Sequence, residues 1–243
     1  MNREYHHWWS HRVGMEMGVV VYGHYGMPLI GFPTSAGDEW ELENQGMIGA
    51  LAPLIDAGRV KFFSVNSINH ASFYNKRAHP FHRSYMQSQF DSYLREEVVP
   101  FIWNSCQTHG LAISTMGASF GAYHAANALF KHPDVIKRCF AMSGVYDIRS
   151  FMNGLYDDNF YFNNPIDYLG NLSDGWYLDQ YRTCDIHIAT GHGPHENSAP
   201  SYRLSALLAA KGIPHHLDDW GAMGGHDWPY WVHQMRNYIG GLF

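Results

Sequence analysis

One serine of this 243-residue chain stands where a nucleophile could be made. Residues 111–130 read LAISTMGASFGAYHAANALF: an apolar run, then Gly117-Ala118-Ser119-Phe120-Gly121, then a helical segment rich in small residues. This is G-x-S-x-G in the strand–turn–helix context that gives the pattern meaning. So sharp a turn strains the backbone at Ser119, and side chains at 117 and 121 would collide, hence glycine at both. Ala122, Ala125 and Ala126 let the following helix lie close to the sheet, and the hydroxyl sits at the positive end of its dipole.

A serine hydroxyl is a weak nucleophile until a base takes its proton. His226 lies in WGAMGGHDWPYW (220–231), after a glycine-rich loop and before a proline-started helix. Gly224 and Gly225 leave that loop free to return the imidazole to the sheet edge. The acid that orients the base is expected just past the strand ending at Thr190, where GHGPHE offers Glu196 as the first carboxylate. Asp147, Asp218 and Asp219 are the rivals; Asp185 lies at the wrong end of its strand. A tetrahedral intermediate also needs backbone N–H donors. Phe120, directly after the nucleophile, supplies one. The loop Pro33-Thr34-Ser35-Ala36-Gly37 supplies the other, from Ser35 with Thr34 as the alternative.

Other chemistries are weaker. His192 and His195 flank Gly-Pro, His215 and His216 point to opposite faces of a strand, and H-E-x-x-H is absent, so no metal site is expected. Neither a P-loop nor a strand-borne G-x-G-x-x-G occurs, so no cofactor is expected. Sixteen Lys and Arg against twenty-two Asp and Glu give a net charge of −6 with no basic run, which disfavours nucleic acid. No apolar stretch approaches the roughly 18 residues of a membrane span, and MNREYHHWWS has no leader-like apolar segment, so neither membrane nor secretory leader is expected. Three cysteines without C-x-x-C spacing fit reduced thiols in a cytoplasm. Homo-oligomerisation is left open.

These residues need a scaffold. Short apolar runs alternate with longer amphipathic ones, the pattern of an α/β domain with a mostly parallel sheet and crossover helices. Strands are expected at 4–9, 15–22, 29–32, 61–65, 112–116, 138–143, 185–190 and 215–220, the first two forming an antiparallel start. Helices are expected at 46–57, 85–107, 120–130, 202–211 and 230–239. Residues 1–243 read as one domain. Two long loops, 66–83 and 146–182, fall at the C-terminal edge of the strands, where ligands bind in open α/β folds.

GASFGAYHA, HPDVIKRCFAMSGVYD and WGAMGGHDWPYW together resemble the bacterial esterases of the α/β-hydrolase superfamily related to esterase D, enterochelin esterase and antigen 85. The likeness runs from EYHHWWS through LIGFPTSAG and FYN to HDWPYW. It implies an α/β-hydrolase fold of about eight strands with helices on both faces, and a carboxylic-ester hydrolase with Ser119 as nucleophile and His226 as base. It also supports the donors at Phe120 and near Ser35. The group usually carries its acid two or three residues past the strand; here those positions hold His and Gly.

The resulting expectation is a serine esterase acting on a small-molecule ester through an acyl-enzyme. Phe73, Tyr74 and Trp228 are expected to line the substrate site and to suit a short acyl or aryl ester. The alternatives are an acyltransferase using the same three residues and a non-catalytic binding protein on the same scaffold. A histidine base also predicts that activity falls on the acidic side of neutrality.

Overall fold

A computed structural model describes all residues, Met1–Phe243. Eight strands enter one sheet: β1 (Arg3–Ser10), β2 (Met15–Tyr22), β3 (Met27–Phe32), β4 (Val60–Val65), β5 (Ile113–Ala118), β6 (Ile136–Met142), β7 (Asp185–Thr190) and β8 (His216–Asp219). Their spatial order is β1-β2-β4-β3-β5-β6-β7-β8. The pairs β1–β2 and β2–β4 are antiparallel and every other pair is parallel.

The alternation of side chains along each strand decides which helices cover which face. Val19, Val21, Phe63, Val65, Cys139, Ala141, Ile186 and Ile188 belong to one buried cluster. Val20, Tyr22, Val60, Phe62, Phe140, Met142 and Ala189 belong to another. The first face is covered by α2 (Pro80–Tyr93), α3 (Phe120–Lys131) and α4 (Ala199–Ala210), through residues such as Phe90, Leu129 and Leu204. The second is covered by α1 (Met47–Asp56) and α5 (Trp228–Gly240), through Leu51, Ile55, Met235 and Ile239. No helix is long and apolar enough to cross a membrane.

Two expectations change in detail. The helix read at 85–107 begins at Pro80, whose missing N–H suits a first-turn position, and runs to Ser105 through a π turn at Leu94–Val98. Pro100 lies just beyond that turn; its ring cannot donate to the preceding turn, and the widened helix accommodates it. Residues 146–182 are not one open loop. They hold a 3₁₀ turn at Arg149–Met152 and short helices at Asp158–Tyr161, Pro165–Asn171 and Gly175–Tyr181. Asp157 and Asp174 cap the first and last of these through the amides of Phe160 and Trp176. Each helix is at most two turns long, too short for apolar periodicity to reveal.

His124 of α3 is buried at 2% exposure among Phe32, Phe90, Phe120 and Tyr123. Its Nε2 lies 2.9 Å from Asn69 Oδ1. Burial pushes its pKa down to about 3, so the folded protein keeps this ring neutral where an unfolded chain would protonate it. Between about pH 6.5 and 3 the unfolded state binds the extra proton, so stability present at neutral pH is lost as pH falls through that window. From pH 7 to 4.5 this group costs about 2–3 kcal/mol. Urea unfolding of wild type and His124→Gln at both pH values checks it: the variant's stability is expected to depend less on pH by that amount, and an equal dependence would refute the assignment.

Candidate active site

All the loops that could meet a substrate leave the C-terminal ends of β3, β4, β5, β6, β7 and β8, so the parallel part of the sheet gathers them at one edge. Between β5 and α3 the chain reverses at Ser119, with φ 56° and ψ −120°. A β-carbon on Gly117 would stand 2.2 Å from the carbonyl oxygen of Gly121, so the turn forbids one. Gly121 is needed for a different reason from the collision expected: a β-carbon there would meet the carbonyl oxygens of Phe32 and Pro33 at 2.6 and 2.7 Å. The start of α3 thus presses against the end of β3, and the loop at 33–37 lies beside Ser119. The Ser119 amide donates to Met142 O at 2.9 Å, anchoring the turn to β6.

His226 Nε2 lies 3.0 Å from Ser119 Oγ, across 107 residues of sequence. Glu196 Oε2 lies 3.5 Å from His226 Nδ1, while Oε1 accepts from Thr190 Oγ1 at 2.9 Å. The Glu196 side chain is fully buried and that of His226 one-third exposed. Oε2 accepts no other hydrogen bond from the protein, so the imidazole is the group left to satisfy it. Burial pushes the Glu196 pKa up, but His226, Ser143 and Thr190 together outweigh it and hold the carboxylate below its ordinary range.

Two loops are zipped together to make this contact. His192 N donates to Gly221 O at 2.7 Å, Gly193 N to Gly224 O at 2.9 Å, and His226 N to Pro194 O at 2.9 Å. Such close backbone approach leaves no room for a side chain at Gly191, where a β-carbon would stand 2.3 Å from Gly224 O. Glu196 sits six residues past the strand because the chain first spends Gly191–Pro194 on this zipper and turns at His195, φ 61°.

The rival carboxylates are engaged elsewhere. Asp147 is held by Arg149 and Arg203, each at 2.6 Å. Asp218 accepts from Tyr238 Oη at 2.8 Å and faces His187. Asp219 accepts from Tyr202 Oη at 2.6 Å and the Gly221 amide at 2.9 Å.

Of the two candidate amides on the 33–37 loop, that of Thr34 is spent: it donates to Glu41 Oε2 at 2.6 Å, and Thr34 Oγ1 donates to Oε1 at 2.7 Å. Asn69 Nδ2 donates to Thr34 O at 3.1 Å, and Asn69 in turn meets His124. The Ser35 amide meets no acceptor in the protein. Phe120 opens α3, so its amide has no intrahelical acceptor.

The expected substrate residues are placed unequally. Tyr74 is exposed and stands edge-on to Phe120, ring centroids 5.0 Å apart. Phe73 is only 1% exposed and packs against Phe120 and Tyr123 from behind, so it supports the wall rather than touching a ligand. Trp228 is half-buried against Trp231, and it is Trp231, not Trp228, whose ring meets His226, at 5.1 Å. Trp231 Nε1 also donates to Ser143 Oγ at 2.9 Å. Phe151, from the 3₁₀ turn after β6, adds a partly buried ring against Tyr74 and Phe120. Sequence reasoning missed Thr190, Glu41, Trp231 and Phe151. Only Trp231 and Thr190 had a signal, each being close in sequence to a residue already singled out.

Residues 42–241 match the Esterase family, described as "Putative esterase"; the first three strands precede the match. No protein of curated function matches the sequence. Among solved structures, a ferulic acid esterase superposes with a TM-score of 0.75 at 14% identity, over 100% of this chain and 99% of its own. An S-formylglutathione hydrolase from Agrobacterium tumefaciens gives 0.74 at 14% identity, over 98% and 93%. MPT51 (FbpC1) of Mycobacterium tuberculosis gives 0.71 at 16% identity, over 100% and 98%. Identities this low speak for a shared fold, while the family match covers most of the sequence. The chain belongs to this Esterase family of carboxylic-ester hydrolases, built on the α/β-hydrolase fold.

Proposed function

We propose that this esterase works through an acyl-enzyme on Ser119 and prefers short-chain acyl or aryl esters. The observation that carries the reading is the 3.0 Å contact between Ser119 Oγ and His226 Nε2. His226 takes the hydroxyl proton as Ser119 attacks the ester carbonyl, and Glu196 holds the ring in the tautomer that leaves Nε2 free to accept. The amides of Phe120 and Ser35 receive the negative charge that develops on the carbonyl oxygen. His226 then protonates the departing alcohol and activates the water that releases the acid from Ser119. Its one-third exposure gives water a route to that second step, which favours hydrolysis over transfer to another alcohol. The rings of Tyr74 and Phe151 beside Phe120 offer a flat apolar wall suited to a small acyl or aryl group. All three cysteines are free thiols, which supports a reducing cytoplasmic setting.

Two measurements test this. A fluorophosphonate probe is expected to label one serine per chain, identified as Ser119 by peptide mass spectrometry; absence of labelling in folded protein would favour a binding protein on the same scaffold. Across p-nitrophenyl esters of increasing acyl length, kcat/KM is expected to be highest for the shortest chains, and a maximum at long chains would overturn the substrate class.

A further inference from the structure

The parallel pair β7–β8 juxtaposes a second group of chemically capable side chains, away from Ser119. In register, Arg138 pairs with Asp185, Phe140 with His187, His187 with His216, and Ala189 with Asp218. Alternate residues share a sheet face, so Asp185, His187, His216 and Asp218 project to the same side, the side of α5. His215 and His216, by contrast, point apart, which is why the sequence pair itself suggested no site. Donor atoms of Asp185, His187 and His216 all lie within 4.8 Å of one another.

We propose that Asp185, His187 and His216 form a binding site for a borderline divalent cation such as Zn²⁺, bridging β7 and β8. His187 Nε2 stands 2.9 Å from Asp185 Oδ1, close to the spacing of about 3.4 Å between two donors on one tetrahedral zinc ion. Each of these two ligands is held from behind. His187 Nδ1 faces Asp218 Oδ2 at 3.3 Å, the carboxylate–histidine arrangement that fixes the tautomer of a metal-binding imidazole. Tyr238 Oη donates to Asp218 Oδ2 at 2.8 Å, and Arg138 Nε donates to the outer oxygen of Asp185, Oδ2, at 2.6 Å.

His216 is the movable ligand. It is exposed and stacks on His187 with centroids 4.6 Å apart and planes within 12°. Parallel rings send their lone pairs side by side, so His216 must tilt for its nitrogen to converge on the ion; exposure leaves it free to do so and gives the ion its way in. Water completes the coordination. Two carboxylates and one guanidinium leave the group at −1 with both imidazoles neutral, so a divalent ion brings it to +1. The donors are nitrogen and oxygen only, which suits Zn²⁺, Ni²⁺ or Cu²⁺ better than ions that need sulfur. The site lies toward the N-terminal ends of strands whose C-terminal loops carry Glu196 and His226. Its expected effect is to tie those strands together and not to enter the reaction.

Full-length protein stripped with EDTA and titrated with ZnCl₂ in a calorimeter is expected to take up one tight equivalent and to melt at a higher temperature when loaded. Co²⁺ in its place is expected to show the visible bands of a tetrahedral site. His216→Ala, at an exposed position, should weaken this equivalent at least tenfold. Asp218→Asn, which touches only the back of His187, should weaken it about ten- to hundredfold. His192→Ala, removing an exposed histidine paired with Asp219, should leave it unchanged. Failure of wild type to bind Zn²⁺, or equal binding by wild type and His216→Ala, would overturn the site and reduce the cluster to an imidazole held between two carboxylates.

Discussion

Ser119→Ala is expected to lower kcat for p-nitrophenyl acetate by about 10⁴- to 10⁶-fold, the loss seen when an enzyme of this kind is deprived of its nucleophile. The proton acceptor and the oxyanion donors remain, but no oxygen is left to form the covalent bond, so what survives is attack by water. The folded state should hardly notice. The Ser119 side chain caps no helix amide, and its hydroxyl contacts only His226. Alanine takes the same positive-φ conformation at a cost like that of serine, so unfolding free energy is expected to stay within about 0.5 kcal/mol of wild type. Loss of activity together with loss of structure would therefore not count for the assignment; circular dichroism and thermal melts must accompany the kinetics. Undiminished turnover in a well-folded variant would remove Ser119 from the mechanism.

That Ser119 and His226 meet could be read from sequence because local physics constrains the turn that carries the serine. A serine held on a strand-to-helix reversal needs small neighbours within two residues, and those leave a readable pattern. The order of the strands and of the five helices that cover the sheet was also legible, since β2, β4 and β6 carry apolar residues on both faces and longer helical segments separate the parallel strands. What could not be read depends on contacts between distant segments. That Thr34 is spent on Glu41 and Ser35 is not follows from how one loop folds back, and no spacing rule states it. Phe73 and Tyr74 are adjacent and similar, yet one is core and the other surface, because Tyr123 and Phe120 close over the first. The pairing of His187 with His216 rests on the β7–β8 register, invisible until the strands are set side by side.

Glu196→Gln is expected to lower kcat by about 10³- to 10⁴-fold with little change in KM, because the amide keeps the shape and loses the charge. Its oxygen can still accept from Thr190, so the loop need not move. What fails is the partnership with His226: an amide N–H placed toward Nδ1 would favour the tautomer whose Nε2 carries the proton, and that nitrogen could no longer accept one from Ser119. Charge matters as well. The side chain is fully buried and its carboxylate is held ionised despite that burial, by His226 first and by Ser143 and Thr190 after it, so it is poised to stabilise the imidazolium as it forms. A depressed acid pKa means that this interaction is complete above the ordinary glutamate range and disappears as pH falls through the lowered value, so wild-type activity at pH 6 to 8 has it in full. Asp147→Asn, Asp218→Asn and Asp219→Asn, whose carboxylates are tied to arginines, tyrosines or other histidines, are expected to stay within a few-fold of wild type. Steady-state kinetics on the four variants separates the possibilities: full activity in Glu196→Gln with collapse in one aspartate variant would transfer the role to that aspartate, whereas loss confined to Glu196→Gln ties the base to an acid six residues beyond its strand.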